Sequence, residues 1–298
     1  MPFPASSIAH PTARGDAVPL MCAALAAASF ISMDSVIKLL SLRFDAVQLG
    51  FFRFAGGSVF AVALWLWKRS PLPSRDAWRL HIVRSALLLC SLVGYFFALT
   101  QLPLVQALTI SYLAPIFVAV LAIPVLNERP AGSIWLALAA GLGGVLTSVL
   151  PELRASLSGK ESTHLLGMAS AAAAAVSFAG VMLLARRQSG TDSVWTILLV
   201  QSVLPLLLLA APALWRWRPI QTSDIALILL AGGLGTLGLL CLTYAFTRLE
   251  ASRVAPLEYT GLVWATALGY LLFGEVPTLT TVASALLIVG GCFLLLRR

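Results

Sequence analysis

The sequence predicts an all-α membrane protein of ten transmembrane helices, arranged as two inverted five-helix repeats. Three observations carry this. The 298 residues are 59% hydrophobic and 11% charged, with a mean hydropathy of +0.94. An ordinary soluble protein has about 25% charged residues, so this chain lacks the polar side chains for a water-facing surface. The apolar residues form continuous runs of about 20, the length a helix needs to cross roughly 30 Å of hydrocarbon. Finally, residues 98–130 recur without a gap 147 positions later as residues 245–277, and 147 is almost half of 298. Tyr112 then falls on Tyr259, Glu128 on Glu275, Pro130 on Pro277, and Gly143-Gly144 on Gly290-Gly291. A period of this length means a duplicated structural unit.

Residues 1–17 are polar and proline-rich and are expected to form a disordered cytoplasmic tail. The run over 18–40 could pass for a cleaved signal, because Ala26, Ala27 and Ala28 offer a cleavage-like site. Its echo in 168–186, with Ser29-Phe30 matched by Ser177-Phe178, lies deep inside the chain where no signal can sit. It is therefore read as a span. The further spans fall near 46–67, 79–100, 104–126, 130–150, 164–186, 192–214, 222–246, 250–273 and 277–296. Continuous rather than alternating apolar runs exclude a transmembrane barrel. The first repeat is bounded as 18–150, an external linker as 151–163, and the second repeat as 164–298.

An odd number of spans per repeat makes the second half enter the bilayer from the opposite side. Excluding Arg53 and Arg84, which lie within spans, twelve basic residues fall on the side holding both termini and six on the other. The positive-inside rule then places both termini in the cytoplasm. Trp65-Leu66-Trp67-Lys68 and Trp215-Arg216-Trp217-Arg218 have the aromatic and basic character of a membrane interface. The net charge of +8 arises from such single and paired residues at span ends. That pattern belongs to membrane topology, not to a nucleic-acid groove.

Motifs of soluble enzymes carry no weight in this setting. Gly233-Leu234-Gly235-Thr236-Leu237-Gly238 fits a dinucleotide fingerprint, but it lies in an apolar span with no preceding strand. Gly232, Gly235 and Gly238 read instead as a smooth ridge that lets another helix approach. Gly143-Gly144 and Gly290-Gly291 are expected to do the same in the last helix of each half. His10, His81 and His164 are solitary and near loops, and Cys22, Cys90, Cys241 and Cys292 sit singly in apolar runs as free thiols. No catalytic residue, metal site or cofactor is expected.

The candidates for function are polar residues at membrane depth, where each charge costs about 2.5–3.5 kcal/mol or more unless paired or wet. Asp34 and Arg53 lie at matching depth near the outer face and can pair across the first two helices. Arg84 and Glu258 lie nearer the cytoplasmic face and can form a second pair. Equally, such pairs can serve only to hold helices together, and Lys38, one turn after Asp34, can neutralise it. Ser111-Tyr112 and Glu258-Tyr259 are equivalent under the repeat and lie beside Pro115 and Pro256. Proline opens a helix locally, which is tolerated where the backbone lines a cavity. Tyr95, Phe178 and Trp264 are candidate cavity walls. The binding candidates are thus Tyr95, Ser111, Tyr112, Phe178, Glu258, Tyr259 and Trp264. The coupling or gating candidates are Asp34, Arg53, Arg84 and Glu258.

The two copies end in Leu126-Asn127-Glu128-Arg129-Pro130 and Phe273-Gly274-Glu275-Val276-Pro277. With Ala255-Pro256-Leu257-Glu258-Tyr259, they resemble the paired EamA domains of the drug/metabolite transporter superfamily, over essentially residues 18–296. Within it, the chain looks most like the YddG-type amino acid exporters. The resemblance implies a secondary transporter of the bacterial inner membrane with a central cavity, exporting amino acids or related metabolites by alternating access. Asn127 departs from the pattern where glycine is usual, and Ser111 where an acid or amide is usual. An exporter of drug-like amines is the alternative within this class. An intramembrane enzyme would need a nucleophile, a metal or paired acids at one depth, and a channel would more often assemble from several subunits. The expected partners are a small-molecule substrate and the lipid bilayer, with no nucleic acid, in a monomer or weak homodimer.

Overall fold

The computed structural model describes residues 17–41, 43–101, 110–156 and 163–273, together with Val282, Ala283, Leu286, Leu287 and Gly290. Every regular element among them is helical: α1 (Ala17–Leu40), α2 (Ala46–Lys68), α3 (Arg75–Gln101), α4 (Ala114–Leu126), α5 (Gly132–Ser156), α6 (Thr163–Gln188), α7 (Val194–Trp215) and α8 (Thr222–Arg248). The expected ninth span is composite, with α9 (Ala251–Val254), a 3₁₀ turn (Ala255–Tyr259) and α10 (Thr260–Phe273). Six described helices are long and apolar enough to cross a membrane, and Ala114–Leu126 and Gly132–Gly144 are shorter apolar stretches. In hydrocarbon, each backbone N–H and C=O must be bonded within its own segment, which is why continuous apolar runs fold this way. The expected tenth span, 277–296, lies essentially outside the described residues. The helix α5 runs on through Pro151 to Ser156, into the stretch assigned by sequence to a linker.

Polar residues fix the helix starts. Asp45 accepts from Val47 N and Gln48 N at 3.0 Å to begin α2. Ser193, equivalent in position, accepts from Thr196 N at 3.1 Å to begin α7. Gln221 and Asp224 form a reciprocal capping box at the start of α8. The fourth and ninth spans are interrupted as the prolines predict. A turn at Tyr112-Leu113 precedes Pro115, and Pro256 opens the 3₁₀ segment.

The repeats interlock. The two most extensive interfaces are α3 with α6 and α1 with α8, and α2 packs on both α7 and α8. Advancing by one repeat turns α1 into α6 and α3 into α8, so the two largest interfaces exchange, the mark of an internal two-fold relation. The main core combines Val118, Ala119 and Ala122 of α4, Ala179 and Met182 of α6, Leu242 and Phe246 of α8, and Tyr259. Small residues dominate because helix association in lipid depends on close backbone approach and good packing.

The glycine ridge of α8 is such an approach. A Cβ on Gly232 would lie 2.2 Å from the carbonyl carbon of Gly56 on α2, inside its van der Waals shell. One at Gly235 would meet Met33 Sδ at 2.9 Å, and one at Gly238 the Phe30 ring at 2.8 Å. At Gly143 and Gly290 an added Cβ meets no described atom within 4 Å, while Gly144 is buried and Gly291 lies outside the described residues. In α5 it is Gly141 that accepts a neighbour, with the Tyr259 ring 2.1 Å from its notional Cβ.

Polar contacts tie neighbouring elements together at each end of the bundle. At one end, Arg43 donates to Asp224 Oδ1 at 2.6 Å, and Gln48 Nε2 donates to the Arg218 carbonyl at 2.8 Å. At the other, His81 Nε2 meets Asp192 Oδ2 at 3.0 Å, and Thr196 donates to the Pro71 carbonyl at 2.7 Å.

A cavity between the two repeats

Between these ends lies a cavity of about 240 Å³, walled by α1, α2 and α3 of the first repeat and α6, α7 and α8 of the second. Its lining keeps the internal symmetry. Phe30 and Phe178, Met33 and Val181, Arg53 and Gln201, Phe54 and Ser202, Arg84 and Gly232, and Leu88 and Thr236 all face it, each pair 148 positions apart. That register differs by one residue from the 147 of the ungapped stretch. The shape is shared between the halves while the chemistry is not, because both arginines and Asp34 come from the first repeat.

Of the residues singled out by sequence, Asp34, Arg53, Arg84 and Phe178 line this cavity. Asp34 and Arg53 are close enough to interact electrostatically, as their matched depth predicts, and the Arg53 guanidinium sits 5.4 Å from the centre of the Phe54 ring. The second expected pair is not formed. Arg84 donates through Nη1 to Gln188 Oε1 at 2.8 Å rather than to Glu258. The reason is azimuth: α3 packs on α6 and α7, so the inner part of α3 faces the end of α6 and not the 3₁₀ segment.

Tyr95, Tyr112 and Glu258 form a second cluster beside the cavity. Tyr112 lies within electrostatic reach of Tyr95, Asp34 and Glu258, which makes Asp34 the link between cluster and cavity. The rings of Tyr112 and Tyr259 are 6.2 Å apart, tilted by 38°. Tyr259 itself is fully buried against Gly141, and its hydroxyl has no hydrogen-bond partner among the described residues. Ser111 is half-buried in the interruption of the fourth span. Trp264 is 42% exposed on α10 and is not among the cavity's lining residues.

Two residues escaped the sequence reading. His81, set aside there as solitary, is completely buried and bridges Asp192 to Gln201, whose Nε2 lies 3.2 Å from His81 Nδ1. Gln201 lines the cavity from α7 and is 3% exposed. The signal for Gln201 was present as one of two polar side chains in the middle of an otherwise apolar helix. For His81 there was none, because its partners lie 111 and 120 positions away.

Comparison with known proteins decides the family. The EamA-like transporter family matches twice, over residues 18–150 and 165–297. The chain belongs to that family. It is 30% identical to a pseudopaline exporter of Pseudomonas aeruginosa, over 93% of this chain and 95% of the relative. It is 25% identical to an S-adenosylmethionine uptake transporter of Rickettsia prowazekii, covering 86% of this chain and 84% of that one. A solved crystal structure superposes with a TM-score of 0.73 over 94% of this chain and 96% of its own, at 19% identity, a likeness of fold alone. The relatives are metabolite transporters rather than enzymes, so this EamA-family chain is a multi-pass membrane protein of the transporter class. The narrower resemblance to amino acid exporters is not reached by these matches.

Proposed function

We propose that this protein is a secondary transporter exporting amino acids or closely related small metabolites by alternating access, through ten spans in inverted five-helix repeats. The observation that carries the reading is the cavity itself. It lies between the interlocked repeats, with lining from three helices of each. Its walls are mainly apolar and hold an acid, two arginines and an amide. A small concave site with a few convergent polar groups is what recognition of a small polar molecule requires, and placement at a repeat interface is where transporters bind substrate. Drug-like amines fit less well, because Arg53 beside Asp34 offsets the carboxylate such a cation would need.

In this reading both termini face the cytoplasm of a bacterial inner membrane, Phe178 and Asp34 contact substrate, and Tyr95, Tyr112 and Glu258 adjust the approach to it. The test is counterflow with purified protein in liposomes, screening amino acids against amines. Saturable exchange of amino acids supports the proposal, whereas exchange of amines alone, or non-saturable flux, overturns it. Sidedness is checked with single cysteines at Leu72 and Ile220, exposed at opposite ends, in a background without native cysteines. Leu72 should label only from the cytoplasmic side. Asp34 and Glu258 are the acids placed to carry a coupled proton. If Asp34→Asn and Glu258→Gln both leave the pH dependence of transport unchanged, carboxylate coupling is excluded.

A further inference from the structure

Arg84 is 3% exposed and faces the cavity, yet no described carboxylate balances it. Its Nη1 bonds to the neutral amide of Gln188, and its Nε has no acceptor among the described residues. The acid nearest in the network, Asp192, is held by His81 at 3.0 Å, and Asp34 is opposed by Arg53. The cavity lining therefore carries one surplus positive charge. Burying a guanidinium without a counter-charge costs several kcal/mol, and an ionisable residue at membrane depth marks a candidate functional site by default.

A second orphan lies beside it. Gln201 Oε1 is buried with no partner, while its Nε2 faces the His81 carbonyl and Nδ1 at 3.4 and 3.2 Å. The carbonyl can only accept, so it fixes the amide with the oxygen turned away from His81. Both side chains line the cavity, and each keeps one buried polar atom without a described partner.

We propose that Arg84 and Gln201 form the head-group subsite of the transporter. Arg84 donates to a substrate carboxylate, and Gln201 Oε1 accepts from an adjacent ammonium, so the substrates are α-amino acids or derivatives with a free α-carboxylate. The proposal deepens the transport reading and rests on the cavity being its site. Guanidinium–carboxylate pairing is short, directional and strong where water is excluded.

The test is thermal unfolding of the full-length protein in detergent at constant ionic strength, with butyrate, butyramide and chloride as probes. Butyrate at about tenfold its dissociation constant should raise the melting temperature by about 3 °C over chloride, and butyramide should not. L-norvaline should exceed butyrate, an advantage lost in Gln201→Leu. Arg84→Gln should melt higher than wild type without ligand and lose the butyrate response, and Arg84→Met should behave alike. Equal stabilisation by butyrate and butyramide, or an undiminished butyrate response in both Arg84 variants, overturns the subsite even if amino acids exchange. An Arg84-dependent butyrate response with no amino acid exchange upholds the subsite and sinks the transport reading instead.

Discussion

Two helix crossings that the internal symmetry makes equivalent have come out differently. Where α2 meets α8, Gly56 and Gly232 bring the backbones into direct contact. At the same shift of 148 positions, the matching crossing of α7 and α3 has Leu204 and Arg84 in their place, and those helices pack far less extensively. The same fold has been given a seam on one side and a gap on the other. Glycine removes the side chain that would separate two helices in lipid, whereas arginine both holds them apart and demands something polar in the space it creates. The looser crossing and its charge thus go together, with large residues at two positions where the tight crossing has glycine.

The sharpest way to break this comparison is Gly232→Leu, which sets a side chain where the Gly56 backbone already lies. We expect the largest effect of all, loss of a monodisperse folded protein by size-exclusion chromatography, while Leu204→Ala at the open crossing should remain folded. Wild-type behaviour of Gly232→Leu would show that the seam is not a close contact. Next in size is Tyr259→Ala, which empties the site against Gly141 and should cost about 3–5 kcal/mol as a buried aromatic. Trp264→Ala, changing a half-exposed ring, should cost about 0.5 kcal/mol. Melting temperatures of the pair should differ widely, and equal losses would refute their different burial. Smallest among the ridge variants is Gly235→Ala, because its neighbour is the flexible end of Met33. Overpacking there should cost about 1 kcal/mol, read as a drop of a few degrees.

The sequence carried the architecture well because its signals are one-dimensional. Apolar run length, the repeat and the helix-breaking prolines all act along the chain, and the interruptions at Tyr112-Leu113 and at the 3₁₀ turn fall where Pro115 and Pro256 put them. Asn127 also became intelligible. It occupies the glycine position of the family pattern and ends α4 with φ of 55°, a left-handed conformation that asparagine tolerates better than most residues. The site was less legible, because depth along a helix does not reveal which way it is turned. Asp34 and Arg53, matched by depth, come within electrostatic reach of each other without a described salt bridge, whereas the equally reasonable match of Arg84 with Glu258 failed on azimuth. Tyr259 looked like its repeat partner Tyr112, but only one of them is sealed against a glycine of α5.

Glu128, next to that asparagine, accepts from the backbone N–H groups of Ala251 and Ser252 at 3.0 and 3.1 Å and lies 3.7 Å from Arg186 Nε. Arg186 and Ser189 both bond to the Phe246 carbonyl as well. One carboxylate thereby rivets the end of α4 and the end of α6 to the beginning of the ninth span. These three pieces are thus held together as one unit. It is bordered by the two places where helical hydrogen bonding is interrupted, Tyr112-Leu113 and Ala255–Tyr259.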